Sequence, residues 1–126
     1  MWGWAHQREK GQSVVELALI LPIIIVILAI TFDFGRALMY YADVFHAARE
    51  GAWIASERPW DVGGVRQAVT NVLLDSGMDP SRMSVDITRG PGAQIRVTVR
   101  YPYEPLLPLP ITNISLVASH TMRLRR

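Results

Sequence analysis

Residues 11–32 read GQSVVELALILPIIIVILAITF, a glycine and two polar residues followed by an almost wholly apolar run. The 14–32 stretch is close to the ~20 residues that a membrane-spanning helix needs. One carboxylate, Glu16, lies inside the run, five residues after Gly11. Carboxylates in a membrane span are energetically costly and usually have a function. The stretch therefore predicts a membrane helix in which Glu16 is a candidate functional residue.

The residues that flank the apolar run bear on its type and its orientation. A secretory signal peptide has a short apolar core and a small-residue cleavage site after it. Here the run is longer, and 30–33 (ITFD) contains no such site. Arg8 and Lys10 precede the run, so the positive-inside bias favours a cytoplasmic N-terminus. We expect a single-pass protein of the plasma (inner) membrane with an extracytoplasmic C-terminal part.

A helical pattern continues beyond the span. Small and apolar residues recur there at steps of three and four: Ala37, Tyr40, Tyr41, Val44, Ala47, Ala48, Ala52 and Ala55. Such spacing is typical of one apolar face on a helix. Pro59 ends the pattern. The sequence predicts one helix from about residue 13 to residue 56, with Pro22 inside the membrane part, where helices tolerate proline.

The remaining residues predict a small α+β unit. We expect a second helix over 62–76, with Asp61 as its N-cap and Gly77 as its end. Alternation of apolar residues predicts strands over 83–88, 93–103 and 115–124, with a turn at 89–92. A proline-broken apolar loop is expected at 106–110. Both faces of the third strand carry apolar residues, which leaves its buried face open. Helices beside hairpin strands indicate the α+β class with a short antiparallel sheet.

Composition and motifs restrict the function. The chain has 126 residues, a net charge of +2 and no cysteine, so neither a disulfide nor a cysteine metal site is possible. Most arginines are scattered, which predicts no specific nucleic-acid partner. His46 and Glu50 lie one helical turn apart, but the sequence offers no third metal ligand. Motifs for nucleophilic catalysis or phosphate binding are missing. We therefore expect neither an enzyme nor a bound cofactor.

Three stretches of this sequence resemble a known family. KGQSVVE at 10–16 with its apolar continuation looks like the signal of type IV prepilins and pseudopilins. DFGR at 33–36 and AAREGA at 47–52 narrow the resemblance to TadE-like proteins, the minor pilins or pseudopilins of the tight-adherence (Flp) pilus system. The family-motif residues are Asp33, Gly35, Arg36, Ala48, Arg49, Glu50 and Gly51.

The resemblance implies a processing site and a division of the chain. A prepilin peptidase would cut after Gly11 and leave Gln12, where many prepilins have phenylalanine or methionine, as the new N-terminus. Residues 1–11 would then be the leader, 12–58 the transmembrane and extended helix, and 59–126 the extracytoplasmic domain. Implied partners are membrane lipid, the peptidase, other pilins or pseudopilins in a hetero-oligomer, and the pilus assembly platform.

Glu16 has two possible roles. After cleavage the amine of Gln12 would lie one helical turn from Glu16, and the amine of a neighbouring subunit could neutralise this carboxylate and set the register of assembly. Alternatively, headgroups and water near the membrane interface solvate Glu16. A pilin-like assembly subunit is the favoured function. A plain single-pass anchor that presents a binding domain and a membrane-tethered enzyme are the alternatives.

A packing arrangement also follows from the pattern. Ile95, Val97 and Val99 share one face of the second strand, so we expect them to pack against the extended helix together. Gly51 would let that helix approach a neighbour closely. The alternative is a flexible linker over 33–59 without fixed packing.

Overall fold

The computed structural model describes residues 3–106 and 114–125, with side chains from Glu9 onward. Its contacts divide the chain into two compact units, Met1–Gly35 and Arg36–Arg126. The first helix, α1 (Gly3–Glu57), contributes residues to both units. The second unit also contains α2 (Val62–Asp75), a short 3₁₀ turn (Pro80–Arg82) and the strands β1 (Ser84–Gly90), β2 (Gln94–Tyr103) and β3 (Ile114–Arg123). The predicted α+β class with its long apolar helix is thus confirmed.

Helix α1 begins at Gly3, about ten residues before the predicted start. The polar segment that precedes the apolar run contains Gln7, Arg8, Glu9 and Lys10, all good helix formers, which favours continuation of the helix toward the N-terminus. Pro22 lies in the helix interior. The helix ends one residue beyond the predicted boundary, and the amide of Arg58 still donates to the carbonyl of Ile54 at 2.8 Å.

Helix α2 has the predicted N-cap. The Asp61 carboxylate accepts a hydrogen bond of 2.8 Å from the amide of Gly64, which satisfies one of the unpaired amides of the first turn. At the other end Gly77 adopts φ +74°, a left-handed conformation that favours glycine. The amide of Met78 donates to the carbonyl of Leu73 at 2.9 Å, which completes a Schellman-type ending. Ser76 is therefore a C-cap and lies outside the helix.

The three strands form an antiparallel sheet in the order β1–β2–β3. Strand β1 starts at Ser84, since the amide of Met83 donates to Pro80 at the end of the 3₁₀ turn. The strand continues to Gly90, which pairs with Gln94 across the hairpin. The turn is consequently at 91–93, shifted from the predicted 89–92. The predicted loop at 106–110 lies, apart from Leu106, outside the described residues.

The structure resolves which face of β3 is buried. Ala118 is buried and pairs with Val99 of β2. Leu116 and Met122 share this face and are partly buried, whereas Ser119 and Val117 on the opposite face are exposed. The inner face of the sheet, a row of small residues of α1 and one face of α2 form a single core. Its central members are Val44, Ala47, Ala48, Ala52, Val65, Val69, Leu73, Ile95, Val97 and Val99.

The β1–β2 turn gives a stability prediction. Ala93 has φ +58°, a conformation that costs a non-glycine residue about 1–2 kcal/mol. Glycine removes this cost but loses more backbone entropy on folding, so Ala93→Gly should raise the free energy of unfolding by roughly 0.5–1 kcal/mol. Thermal unfolding of the detergent-solubilised chain measures the change. In the control, Ala42→Gly at an exposed position of α1, stability should fall by about 1 kcal/mol. A lower stability of Ala93→Gly would contradict the expectation.

Candidate functional site

Gly11 and Gln12 lie in the N-terminal part of α1, and both are exposed. A Cβ atom built on Gly11 would have no neighbour within 4 Å. Glycine also weakens a helix by about 1 kcal/mol relative to alanine, so the backbone opens more readily there. The geometry therefore leaves this peptide bond accessible, and no packing role accounts for the glycine.

Glu16 is one helical turn beyond Gln12, in the same helix and equally exposed. The side chains that follow it are apolar, and the large ones are well exposed in this structure. Examples are Leu19 at 69%, Ile23 at 60% and Phe32 at 73%. Within the described residues, α1 is the one helix long and apolar enough to cross a membrane, and its most apolar window has no buried residues. A contiguous apolar surface of this size is unfavourable in water, so it indicates membrane anchoring.

The 47–52 motif divides into buried and exposed residues. Ala47, Ala48 and Ala52 are completely buried, whereas Arg49 and Glu50 are exposed. The small residues belong to the same core as Ile95, Val97 and Val99. The predicted packing of the helix on β2 is therefore confirmed, and the flexible-linker alternative is wrong for this part of the chain.

Gly51 is the point of closest approach. A Cβ atom on this residue would lie 2.8 Å from Cγ2 of Val69 in α2 and 3.3 Å from Cγ1 of Val97 in β2. Real Cβ atoms are not found at the first of these distances. The predicted close approach exists, and it brings α1 against both α2 and the sheet of the same unit. The buried members of the motif therefore serve packing, and its charged members are available to a partner.

The 33–36 motif has a different arrangement. Asp33 is 7% exposed, and Gly35 has open space around it. The guanidinium carbon of Arg36 lies 5.4 Å from the ring centre of Tyr40 and 5.8 Å from that of Tyr103. Cation–π contacts of this kind fasten the start of the second unit's helical segment to the end of β2.

The two tyrosines were not among the residues that the sequence predicted for this motif. Tyr40 could have been found, because it follows Arg36 by one helical turn and its hydroxyl accepts a bond of 3.4 Å from Nη2. Tyr103 comes from a distant strand, and its ring meets that of Tyr40 edge to face at 5.9 Å. Only the fold brings it to the helix.

The same end of the sheet is held by polar contacts. The amide of Asp79 donates to the hydroxyl of Tyr101 at 3.1 Å. Hydrogen bonds from Ser81 hold the pKa of the Asp79 carboxyl below its ordinary value. The exposed Arg82 pairs with Glu104, and this hydrogen bond raises the pKa of the guanidinium. These contacts tie the 3₁₀ turn to β2 and have no catalytic arrangement.

A polar groove of about 480 Å³ runs between the end of α1 and α2. Its charged lining residues are Glu50, Arg58, Asp61 and Asp75. His46 and Glu50 are both exposed on α1. Of the residues that the structure describes, no three histidine or carboxylate side chains form a group that could hold a metal ion. The groove was not predicted, because its residues come from two helices and the segment that joins them and have no common sequence motif.

Comparison with known proteins gives a family match over the N-terminal part of the chain. A family model described as TadE-like protein matches residues 11–53. The match includes the Gly11–Glu16 segment, the apolar run and both later motifs. Residues 11–53 are thus similar to TadE-like proteins, the family that the sequence motifs indicated. No curated protein and no solved structure matches the chain.

Proposed function

We propose that this protein is a pseudopilin or minor pilin, a single-pass membrane subunit without enzymatic activity that assembles or primes a Flp-type pilus. The observation that carries the proposal is the extent of the family match, which begins at Gly11 and runs through the exposed apolar helix into the packed 47–52 motif. The N-terminus would be cytoplasmic, and the second unit, from Arg36 onward, would lie mostly outside the membrane.

Processing would change the electrostatics of the span. A prepilin peptidase would cut the accessible peptide bond after Gly11 and create an α-amine at Gln12. A carboxylate at the centre of a membrane helix costs about 2.5–3.5 kcal/mol on insertion scales, and less near the interface. The new amine of an adjacent subunit would offset that cost for Glu16. The resulting ion pair would favour one register between neighbouring helices.

The exposed span would provide the assembly contacts. Within lipid, helices associate through close packing and polar contacts and gain little from the hydrophobic effect. The apolar face of residues 17–32 would accordingly bind the helices of other pilins and of the assembly platform. Arg49 and Glu50, exposed beside the buried alanines, are candidates for contacts outside the membrane.

Mass spectrometry of the N-terminus tests processing directly. The protein purified from membranes of its own host should begin at Gln12. A chain that still begins at its encoded N-terminus, from a host that matures its other prepilins, would instead support a plain membrane anchor.

The role of Glu16 gives a second test. Glu16→Ala makes the span more apolar, so membrane insertion should be retained. Loss of the proposed ion pair should lower co-purification with other pilins about tenfold, the change that roughly 1.4 kcal/mol produces. Glu9→Ala is the matched control, because it removes an exposed carboxylate that the mature protein would lack. Unchanged co-purification and piliation in Glu16→Ala would eliminate the register hypothesis.

A further inference from the structure

The solvent face of the sheet carries positive charge. The charged side chains of this face are Arg96 and Arg100 on β2, Arg123 on β3 and Asp86 on β1. Three guanidiniums and one carboxylate give a net charge of +2. Asp86 is on the edge strand β1, opposite Thr98, and also lines a cavity of about 210 Å³ with Arg66, whereas Arg96 and Arg100 are on the central strand.

Hydroxyl groups hold parts of this face in place. Arg96 Nε donates to Thr121 Oγ1 at 3.1 Å across the β2–β3 pair. The hydroxyls of Thr98 and Ser119 are hydrogen-bonded at 3.1 Å in the next row. A guanidinium that is already oriented loses less side-chain entropy when it binds a carboxylate. The basic part of this face is thus partly preorganised for anionic groups.

The α1–α2 groove has the opposite charge. Glu50, Asp61 and Asp75 provide three carboxylates, and Arg58 provides one guanidinium, which gives a net charge of −2. Asp61 is engaged as the cap of α2, so Glu50 and Asp75, both exposed, are the carboxylates best placed for a partner. Gln67 donates to Asn71 at 3.0 Å along the same groove.

A single molecule does not bring the two surfaces together. The inner face of the sheet packs on α1 and α2, so the basic face points away from the helical layer that carries the groove. From this charge complementarity we propose that the basic sheet face of one copy docks against the acidic α1–α2 groove of a second copy. Such a contact is heterologous, and its repetition builds either a closed ring or an open chain of copies, depending on the rotation between neighbours. This inference concerns the 36–126 unit and does not depend on the proposed pilin function.

Crosslinking of the purified full-length protein in detergent tests the contact. The chain has no native cysteine, so introduced cysteines are the only thiols. One preparation carries Thr98→Cys on the sheet face and the other carries Asn71→Cys in the groove, each with a different affinity tag. A bifunctional maleimide should join the two preparations. Pro91→Cys, on the exposed β1–β2 turn, replaces Thr98→Cys in the control and should give at most about a tenth of that yield, the ratio for roughly 1.4 kcal/mol.

Charge reversal decides whether the arginines and carboxylates carry the contact. Arg96→Glu with Arg100→Glu in the first preparation should lower the yield about tenfold or more, because like charges then face each other. Glu50→Arg with Asp75→Arg in the second should do the same. Mixing both reversed preparations should restore crosslinking. Arg66→Glu with Arg89→Glu is the control. It changes the net charge by as much as Arg96→Glu with Arg100→Glu, but at other exposed sites, and should have little effect on the crosslinking yield.

Two results would overturn the proposal. One is an equal yield from the Thr98→Cys and Pro91→Cys preparations. The other is a failure of the two reversed preparations to recover crosslinking when mixed, although each retains the circular dichroism and thermal unfolding of the parent. The crosslinking experiment involves neither the peptidase nor a pilus. A negative result would therefore overturn the docking proposal without bearing on the proposed pilin function.

Discussion

Replacing Gly11 by leucine should leave the precursor uncut in the membrane, with a loss of mature protein that approaches completeness. The physical reason is local, because a peptidase at the membrane surface needs close access to the backbone and glycine presents no side chain. Apart from the backbone of its own helix and its chain neighbours, no described atom lies within 4 Å of a Cβ at this position, so the substitution should not disturb the fold. Immunoblotting separates precursor from mature chain, and mass spectrometry identifies the N-terminus.

Gly35 offers a matched control for that experiment. It is also a helical glycine of α1 where a Cβ atom would have no neighbour within 4 Å, and it lies far along the chain from the proposed cut. Gly35→Leu should mature at the parental rate. If Gly11→Leu matures normally in cells that process other prepilins, the assignment of the cut is wrong.

Gly51→Leu should unfold the second unit or destabilise it by about 3 kcal/mol or more, at the upper end of the cost of overpacking. A leucine side chain would enter space that Val69 and Val97 already fill. The helix propensity gained by replacing glycine, about 1 kcal/mol, is too small to compensate. Chemical denaturation of the detergent-solubilised chain, followed by circular dichroism, measures the loss.

Two further variants separate overpacking from a general effect of leucine. Gly63→Leu places the same side chain in α2, where, outside the local helix backbone, the nearest atom to a new Cβ is the Asp61 Oδ1 at 3.8 Å, and it should cost much less. The double variant Gly51→Ala, Val69→Ala should lose less free energy of unfolding than the two single variants lose together, because the Val69 side chain is the group that a new Cβ at residue 51 would meet. Strict additivity of the two changes would contradict the close approach as the cause.

The regular parts of the fold were predictable because their patterns are local. Alternation at Ile95, Val97 and Val99 defined the central strand and its inner face, and the structure places all three in the core. Asp61 and Gly77 correctly marked the ends of α2. The buried face of β3 was not predictable, because Leu116 and Val117 compete from opposite faces and only the pairing with β2 decides between them.

The candidate site was predictable where its residues lie at fixed intervals along the sequence. The interval from Gly11 to Glu16 and the apolar run after it are visible in one segment of sequence. Only one of the two aromatic partners of Arg36 was predictable from spacing. Tyr103 is at the end of a distant strand, and only the tertiary fold brings it close to Arg36. The two charged surfaces were also only partly predictable. Arg96 and Arg100 share a face of β2 through the alternation alone, but Arg123 joins them only when β3 pairs with β2, and the groove residues come from separate elements.

The burial of Ala47, Ala48 and Gly51 has a consequence for how the protein can be divided experimentally. These residues form one wall of the core of the Arg36–Arg126 unit, so the helical segment is an internal part of that unit. A fragment that begins at Arg36 retains this wall and omits the membrane span. A fragment that begins after the helix would present Ile95, Val97 and Val99 to water, and exposed apolar strands of this kind aggregate. The residue at which a fragment begins thus decides whether the fragment keeps a complete hydrophobic core.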